Sequence, residues 1–296
     1  MPGSTRAFDS PSAAGGVPSA GPSTARRLGR QRGAMVGLVV LVALVLLALA
    51  APWLSPRDPI RTAPREALRP PGATHVLGTD QFGRDVASRV LHGARISLAV
   101  GLISVSIALV LGTPVGLVSG YYGGRVDASI MRVIDVLLAF PGILLALAIV
   151  SVLTPGLGNV MIAVGLSAVP TYARLVRATV LAARENLYVE AARAIGSRDL
   201  TILGRYILPN VVAPLIVTAT LGLGTAILSA AALSFLGLGS QPPQPDWGRM
   251  LSEGRDYLRE AWWIATFPGL GIMLTVLAMN LLGDGLRDVL DPRLKT

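Results

Sequence analysis

Residues 136–173 read VLLAFPGILLALAIVSVLTPGLGNVMIAVGLSAVPTYA and carry no charged side chain. A helix needs about 20 residues to cross the hydrocarbon core of a bilayer, so this stretch is too long for a single crossing. The segment TPGLGN at 154–159 interrupts it with one proline and two glycines, which are typical of tight turns. We therefore predict two membrane spans joined by a turn, at about 136–153 and 160–180.

The whole composition is that of an integral membrane protein. The 296 residues are 52% hydrophobic and 15% charged, with a mean hydropathy of +0.61, whereas soluble domains carry about a quarter charged residues. A net charge of +9 would suggest nucleic acid as the partner of a soluble protein. Here the arginines flank apolar runs, as they do in the cytoplasmic loops of membrane proteins. The absence of cysteine excludes disulfides and thiolate metal sites.

Four further apolar runs are long enough to span a bilayer. They lie at 34–54, 96–120, 211–239 and 261–283. The first run could be a signal peptide, because ALA at 48–50 resembles a cleavage site, but it continues to Leu54 and we expect a retained helix. Six spans in total place both termini on one side. The excess of basic residues on that side predicts that it is the cytoplasm.

We therefore predict an all-α integral membrane protein with six transmembrane helices and both termini in the cytoplasm. Its N-terminal segment is rich in Pro, Gly, Ser and Ala, a composition typical of disorder. The predicted divisions are a basic tail at 1–33, a first transmembrane helix at 34–54, an extracytoplasmic loop at 55–95 and a five-helix core at 96–296, which contains a cytoplasmic loop at 182–210.

The residues that the chain lacks disfavour several classes of chemistry. Lys295 is the only lysine, so the chain cannot form a Walker phosphate-binding loop, and any ATP must be hydrolysed by another polypeptide. The only histidines, His75 and His92, fall in the predicted external loop, where we expect them to be solvated rather than catalytic. We predict no catalytic residue and no metal site, which disfavours a membrane enzyme.

An ion-coupled carrier or a channel that works without ATP is the main alternative from another class. Such carriers commonly place Asp, Glu, His or Lys within the membrane, and the cores of the six predicted spans contain none of these residues. Backbone carbonyls at broken helices can also bind ions, so this alternative stays open. Collapse of uptake with the ion gradient, rather than on loss of ATP, would favour it.

The predicted cytoplasmic loop has the pattern of two short helices joined by a sharp corner. Good helix formers at 182–195 predict the first helix, and Gly196 can take the left-handed conformation that closes it. Ser197 is positioned to cap the second helix, Asp199 lies in its first turn, and Pro209 is expected to stop it. One face is apolar and the other is charged, so the pattern fits either a surface hairpin or a docking element for a partner.

A motif within this loop favours the docking element. The residues that carry it are Glu190, Ala191, Ala192, Gly196, Leu208 and Pro209. Their E-A-A-x3-G…LP arrangement resembles the EAA loop of the permease subunits of binding-protein-dependent ABC importers. In that family the short helix inserts into a cleft of an ATPase subunit. The resemblance implies that these six residues couple a permease to its ATPase.

Four other stretches resemble the C-type permease of the dipeptide, oligopeptide and nickel branch of the same importers. They are HVLGTDQFGRDVASRVLHGARISL at 75–98, RVIDVLLAFPGILLA at 132–146, SFLGLGSQPPQPDWGRML at 234–251 and LGDGLRDVLDPRL near the C-terminus. The resemblance covers nearly everything from about residue 70 onward. It departs at Tyr206, where many relatives have histidine before Ile-Leu-Pro-Asn.

The resemblance also implies a fold, a set of partners and a cargo. The fold would be that of a type I ABC importer permease, located in the cytoplasmic (inner) membrane. The partners would be a second, homologous permease, two ATPase subunits that hold ATP and Mg²⁺, and an extracytoplasmic solute-binding protein. This chain would hold no cofactor itself. The cargo would be a dipeptide or oligopeptide, with nickel or another small solute as the alternative, moved by alternating access.

Asp80, Arg84 and Asp85 lie within the first of these stretches, in the predicted external loop. They are candidates for contacts with the binding protein or for a gate on the outer side. The competing interpretation is a solvated loop stabilised by local ion pairs, worth at most about 1 kcal/mol each.

Overall fold

The computed structural model describes residues 31–290 together with Gly29, and the tail predicted at 1–33 lies almost entirely outside this part of the chain. The described residues form helices joined by turns and loops, with one isolated β-bridge between Thr79 and Asp85. The prediction of an all-α protein is confirmed.

Nine α-helices organise the described residues. They are α1 (Arg32–Leu54), α2 (Val86–Tyr122), α3 (Gly124–Leu138), α4 (Gly142–Leu153), α5 (Leu157–Arg184), α6 (Leu187–Ala194), α7 (Asp199–Phe235), α8 (Trp247–Gly254) and α9 (Trp263–Leu290). Short 3₁₀ turns occur at Pro64–Glu66 and Arg255–Tyr257. Residues 154–156 separate α4 from α5, within the turn predicted at 154–159, whose last three residues instead begin α5.

Five of these helices are long and apolar enough to cross a membrane: α1, α2, α5, α7 and α9. The helices α3 and α4 form a sixth candidate only as a pair, because they are bent by 91° at the break between them. The span predicted at 136–153 is thus divided between two helices, with a sharp bend that was not predicted. Pro141 causes the break, since proline lacks a backbone N–H and disfavours helical backbone at the residue before it. Helix α4 alone is about 18 Å long, which is shorter than the hydrocarbon core.

Helix α2 begins at Val86 rather than near Ile96, so ten residues predicted as loop form its first turns. The cause is an N-cap: the carboxylate of Asp85 accepts a hydrogen bond of 2.9 Å from the backbone N–H of Ser88. An aspartate in this position satisfies a helix N–H that has no partner within the helix. Apolar periodicity alone could not locate this start, because the first turns carry Arg89 among their residues.

Helix α7 passes through Pro209 without ending, so the prediction that this proline stops the helix is wrong. Residues Ile202–Ile207 take a π-helical turn, in which the N–H of Leu208 donates to the carbonyl of Leu203, five residues earlier. This wider turn precedes the proline ring, whose clash with the preceding carbonyls would break a regular α-helix.

The largest buried cluster lies where α2 packs against α5 and α7. Three glycines form a stripe on α2 at intervals of four residues: Gly112, Gly116 and Gly120. A methyl group at any of these three positions would lie within 3 Å of an atom of α5. Small residues at such spacing let two helix backbones approach closely, which is the main source of helix association in a bilayer. The glycine stripe therefore sets the α2–α5 crossing.

A second buried cluster surrounds Trp247 at the start of α8. Its indole N–H donates to the carbonyl of Val90 at 3.0 Å. The ring lies against the backbone of Gly93 in α2 and of Gly271 in α9, where a Cβ would come within about 3 Å of it. Helix α8 is thereby held between the N-terminal end of α2 and α9.

Replacing Gly116 by alanine should separate α2 from α5, because the new methyl group would lie 2.5 Å from the carbonyl oxygen of Ala173. We expect the free energy of unfolding to fall by about 1–3 kcal/mol. Gly158→Ala is the matched control, since a Cβ there meets nothing within 4 Å. Thermal unfolding in one detergent measures both variants, and equal midpoints would contradict the close crossing.

Candidate functional site

The loop between α5 and α7 contains the short helix α6 and a sharp corner after it. The N–H of Gly196 donates to the carbonyl of Arg193 at 2.9 Å, and the N–H of Ser197 donates to that of Ala192 at 3.0 Å. With Gly196 at φ +77°, these bonds form a Schellman motif. The left-handed conformation predicted for Gly196 is confirmed.

Two details of this loop differ from the prediction. The helix predicted at 182–195 is divided, since α5 ends at Arg184 and α6 begins at Leu187 after an extended Asn186. Ser197 does not cap the next helix, because the N-cap position belongs to Arg198 and no side chain caps it. Asp199 lies in the first turn of α7, as predicted.

Helix α6 has one face packed against the bundle and one face open. Val189 and Ala192 are buried, at 0% and 3% exposure, in the same cluster as the core of α2, α5 and α7. The open face carries Glu190 together with large apolar side chains, of which Leu187 is 82% exposed. Of the six predicted coupling residues, Glu190, Ala191, Gly196 and Pro209 are exposed, Leu208 is half-buried and Ala192 is buried.

Tyr121, in the last turn of α2, connects this loop to the bundle, and sequence reasoning missed it. Its hydroxyl donates to the carboxylate of Asp199 at 2.7 Å, and the guanidinium of Arg193 lies 5.3 Å from the centre of its ring. Nearby, Arg184 donates to the carbonyl of Gly120 at 3.1 Å. The stretch YYGG contained the only signal, a pair of aromatic residues before a chain reversal.

The predicted outer residues Asp80, Arg84 and Asp85 are all buried, at 3% exposure or less, so the competing interpretation of a solvated loop is wrong. Arg84 contacts Asp80 at 2.5 Å through Nε and Glu253 of α8 at 2.8 Å through Nη2. Arg89 of α2 reaches the same Glu253 oxygen at 3.2 Å. One ion network therefore joins the loop, α2 and α8. Its members are Asp80, Arg84, Arg89 and Glu253.

This network has a geometry that compensates for burial. Isolated charges are costly away from water, and the cost is recovered only where each charge is paired and hydrogen-bonded. Asp80 also accepts hydrogen bonds from the backbone N–H groups of Phe82 and Arg84 at 2.9 Å. Arg89 and Glu253 were not predicted, because their partners lie up to 169 positions away in the sequence.

His75 is also buried, at 2% exposure, which corrects the expectation that it is solvated. Its Nδ1 lies 2.9 Å from the carboxylate of Asp85, and its Nε2 lies 3.3 Å from that of Glu66. His92 is half-buried in α2, with its Nδ1 3.1 Å from the hydroxyl of Ser55. Both histidines thus have structural partners that hold the segment before α2 in place.

Asp246, immediately before α8, is a buried carboxylate at 4% exposure. One carboxylate oxygen is 3.4 Å from the hydroxyl of Ser97, and the other has no hydrogen-bond partner among the described residues. Burial raises the pKa of Asp246. The hydroxyl of Ser234 and the backbone N–H groups of Arg249 and Gly248 lower it again, but only in part.

Two clefts lie along one face of α7. The first, of about 460 Å³, is bordered by α2, α4, α5 and α7. The second, of about 440 Å³, extends from Thr218 and Leu221, which border both clefts, to Arg287 of α9. No charged side chain among the described residues borders the first cleft. Its polar side chains are the hydroxyls of Ser104, Ser167, Thr171, Tyr172, Thr218, Thr225 and Ser229.

Replacing Asp246 by asparagine should stabilise the protein at neutral pH and leave it unchanged in acid. A carboxyl whose pKa is higher in the folded than in the unfolded state loses stability as the pH rises through the interval between the two values. That interval begins near the ordinary value of about 3.9. Midpoints of thermal unfolding at pH 4 and pH 8 measure the difference.

The matched control for this prediction is Asp256→Asn, because Asp256 is an exposed aspartate close to the same helix. We expect its midpoint to follow that of the unmodified chain at both pH values. A midpoint for Asp246→Asn at pH 8 that equals or falls below that of the unmodified chain would contradict the prediction. It would show that hydrogen bonds to the buried carboxylate offset the cost of its burial.

Comparisons with known proteins agree with this architecture. Residues 112–296 match the model of the family described as the binding-protein-dependent transport system inner membrane component. Residues 23–71 match the model described as the N-terminal TM domain of oligopeptide transport permease C. The two matches together extend over most of the chain.

Similar proteins match over nearly their whole length. The dipeptide transport system permease protein DppC of Alkalihalophilus pseudofirmus is 49% identical, over 92% of this chain and 89% of that protein. The di/tripeptide transport system permease protein DppC of Pseudomonas aeruginosa is 50% identical, over 89% of each chain. The glutathione transport system permease protein GsiD of Escherichia coli is 50% identical, over 91% of this chain and 89% of that protein.

A solved structure shares the fold. The inward-facing MetNI methionine ABC transporter contains a chain that superposes with a TM-score of 0.54 and covers 68% of this chain and 95% of that chain. Sequence identity over this match is 22%.

Proposed function

Because this chain belongs to the binding-protein-dependent transport system inner membrane component family, as a peptide permease of the C type, we propose that it moves short peptides inward through the membrane in an ATP-driven complex. The observation that carries the proposal is the open face of α6. A short helix that exposes Glu190 and large apolar side chains has the chemistry of an interface that a partner covers.

The partner of α6 in this proposal is an ATPase subunit. The other subunits would be a second, homologous permease, a second ATPase and an extracytoplasmic solute-binding protein. ATP and Mg²⁺ would be held by the ATPase subunits, since this chain has no lysine that could serve a Walker loop. We name the segment Leu187–Pro209 the coupling loop for this role. In this arrangement it faces the cytoplasm.

The mechanism would be alternating access. ATP can shift the permease between two states only through a difference in its affinity for them, so the shape change of the ATPase must reach the spans through a stiff contact. Two structural features support the coupling loop in this role. The Schellman corner at Gly196 fixes the angle between α6 and α7, and the buried Val189 and Ala192 bind α6 to the bundle.

The first cleft along α7 has the chemistry of a path for short peptides. Hydroxyl groups can pair with peptide N–H and C=O groups whatever the side chains of the cargo. A wall without ionised groups avoids selecting cargo by charge. The names of the similar proteins, which include dipeptide and glutathione transport permeases, support a peptide cargo.

The ion network of Asp80, Arg84, Arg89 and Glu253 would lie on the outer side in this arrangement. Because its members are buried or nearly so, direct contact with a binding protein is a poor fit for them. We propose instead that the network holds the loop before α2 and helix α8 together as one rigid surface, on which the binding protein rests.

A charge reversal at Glu190 or a proline at Gly196 should uncouple transport. Glu190→Lys places a positive charge on the docking face, and Gly196→Pro cannot adopt the φ of +77° that the corner requires. We expect ATP-driven uptake of a labelled dipeptide into proteoliposomes with all subunits to fall at least tenfold in each variant. Equal uptake by either variant would contradict its assignment to the coupling contact.

Glu260→Lys is the matched control, since Glu260 is an exposed glutamate on the opposite side in the proposed topology. It makes the same charge change and should leave uptake unaltered. Membrane insertion should be normal in all three variants, because none of these side chains lies in a span core.

The same proteoliposomes distinguish an ATP-driven importer from a carrier or channel. We expect uptake to stop when ATP is replaced by a non-hydrolysable analogue and to persist when ionophores collapse the ion gradients. The reverse pattern would identify an ion-coupled carrier.

A further inference from the structure

Tyr121 contacts both sides of the corner that shapes the coupling loop. Arg193, whose guanidinium lies 5.3 Å from the ring centre, belongs to α6 before the corner. Asp199, which accepts the hydroxyl hydrogen bond at 2.7 Å, begins α7 after the corner. One side chain of α2 therefore holds the two arms of the Gly196 turn at once.

Both contacts are of the stronger kinds. A hydrogen bond to a carboxylate is roughly twice as strong as one between neutral groups, and an arginine near an aromatic face gains a cation–π attraction. Tyr121 is only 7% exposed and packs in the same buried cluster as Val189 and Ala192 of α6. Apolar and polar contacts thus fix the coupling loop to the end of α2.

Helix α2 runs as one helix from this contact to the other end of the bundle. Its 37 residues correspond to about 55 Å at 1.5 Å per residue. At its far end Asp85 caps the first turn and Arg89 enters the ion network with Glu253 of α8. Along its length the glycine stripe holds it closely against α5. Pro114 lies within this helix, but the glycines on either side of it, Gly112 and Gly116, hold α2 against α5 there. A displacement of the Tyr121 end is therefore carried along α2 toward the network.

We propose that Tyr121 is a positioning residue that makes α2 follow the coupling loop, so that α2 carries the ATPase movement to the outer ion network. This inference rests on the proposed function, since it needs an ATPase partner on α6. In this account the ATPase moves α6 through Glu190 and its neighbours. Tyr121 passes this movement to α2, which is not adjacent to the coupling loop in the sequence.

The test uses the complete complex, with two readouts: ATP hydrolysis stimulated by the loaded binding protein, and dipeptide uptake in proteoliposomes. Tyr121→Phe removes the hydroxyl and keeps the ring. We expect it to retain the ATPase subunits and its hydrolysis within twofold, while the number of peptides transported per ATP falls at least fivefold. An unchanged number of peptides per ATP would overturn the proposal.

Tyr122→Phe is the matched control. Tyr122 is the next residue and is 53% exposed, and its hydroxyl has no hydrogen-bond partner among residues 31–290. The same atom is removed one position away, so this variant should transport like the unmodified complex. A fall equal to that of Tyr121→Phe would show that loss of any hydroxyl here impairs transport, and would overturn the specific role of Tyr121.

A double-mutant cycle with Asp199→Ala tests the bond itself, because alanine has no acceptor for the Tyr121 hydroxyl. If Tyr121 acts through Asp199, the double variant should lose no more peptides per ATP than the more impaired single variant. Losses that multiply would show that the two residues act independently and would overturn the proposal. Failure of the unmodified chain to bind any ATPase subunit would instead refute the proposed function, so the two failures are distinguishable.

Discussion

The close crossing of α2 and α5 is the contact on which the rest of the structure depends. Within a bilayer, apolar side chains gain nothing by leaving lipid for protein, so helices associate through tight packing and hydrogen bonds. Gly112, Gly116 and Gly120 make this packing possible by removing every side-chain atom from one stripe of α2. The two helices then hold a fixed relation along several turns, and the other spans pack around them.

Two sets of charged side chains that pair between elements lie toward opposite ends of α2. At one end the ion network of Asp80, Arg84, Arg89 and Glu253 joins α2 to α8 and to the preceding loop. At the other end Tyr121 joins α2 to the coupling loop, and Arg184 joins the end of α5 to α2. Both sets of contacts depend on long-range pairing, and each would lose its geometry if the helices between them moved apart. The fold thus connects two charged regions through a middle whose cleft is bordered by hydroxyl groups and, among the described residues, no charged side chain.

The sequence predicted the features that depend on neighbouring residues. The apolar runs located five helices able to span a membrane, and the left-handed Gly196 followed from its position after a helical stretch. The break at Pro141 was missed because the apolar run continues through it, although the proline itself was visible. The early start of α2 and the passage of α7 through Pro209 were missed for a related reason. A capping bond in one case and a π-helical turn in the other override the local signal.

The candidate site was predictable to the same extent. The motif around Glu190 and Gly196 could be recognised in the sequence, since its residues lie within one short segment. The partners of Arg84 and the role of Tyr121 were not, because Glu253 and Asp199 come close only in the folded chain. Burial of His75 and Asp85 was likewise hidden, since a polar loop looks solvated until its tertiary contacts are known.

The most direct test of the account is affinity purification of this chain from its native membrane in a mild detergent, followed by mass spectrometry of the proteins that accompany it. The account predicts a second, homologous permease and ATPase subunits in the same complex. Recovery of the chain alone or as a homo-oligomer, while a known transporter complex survives the same detergent, would contradict it.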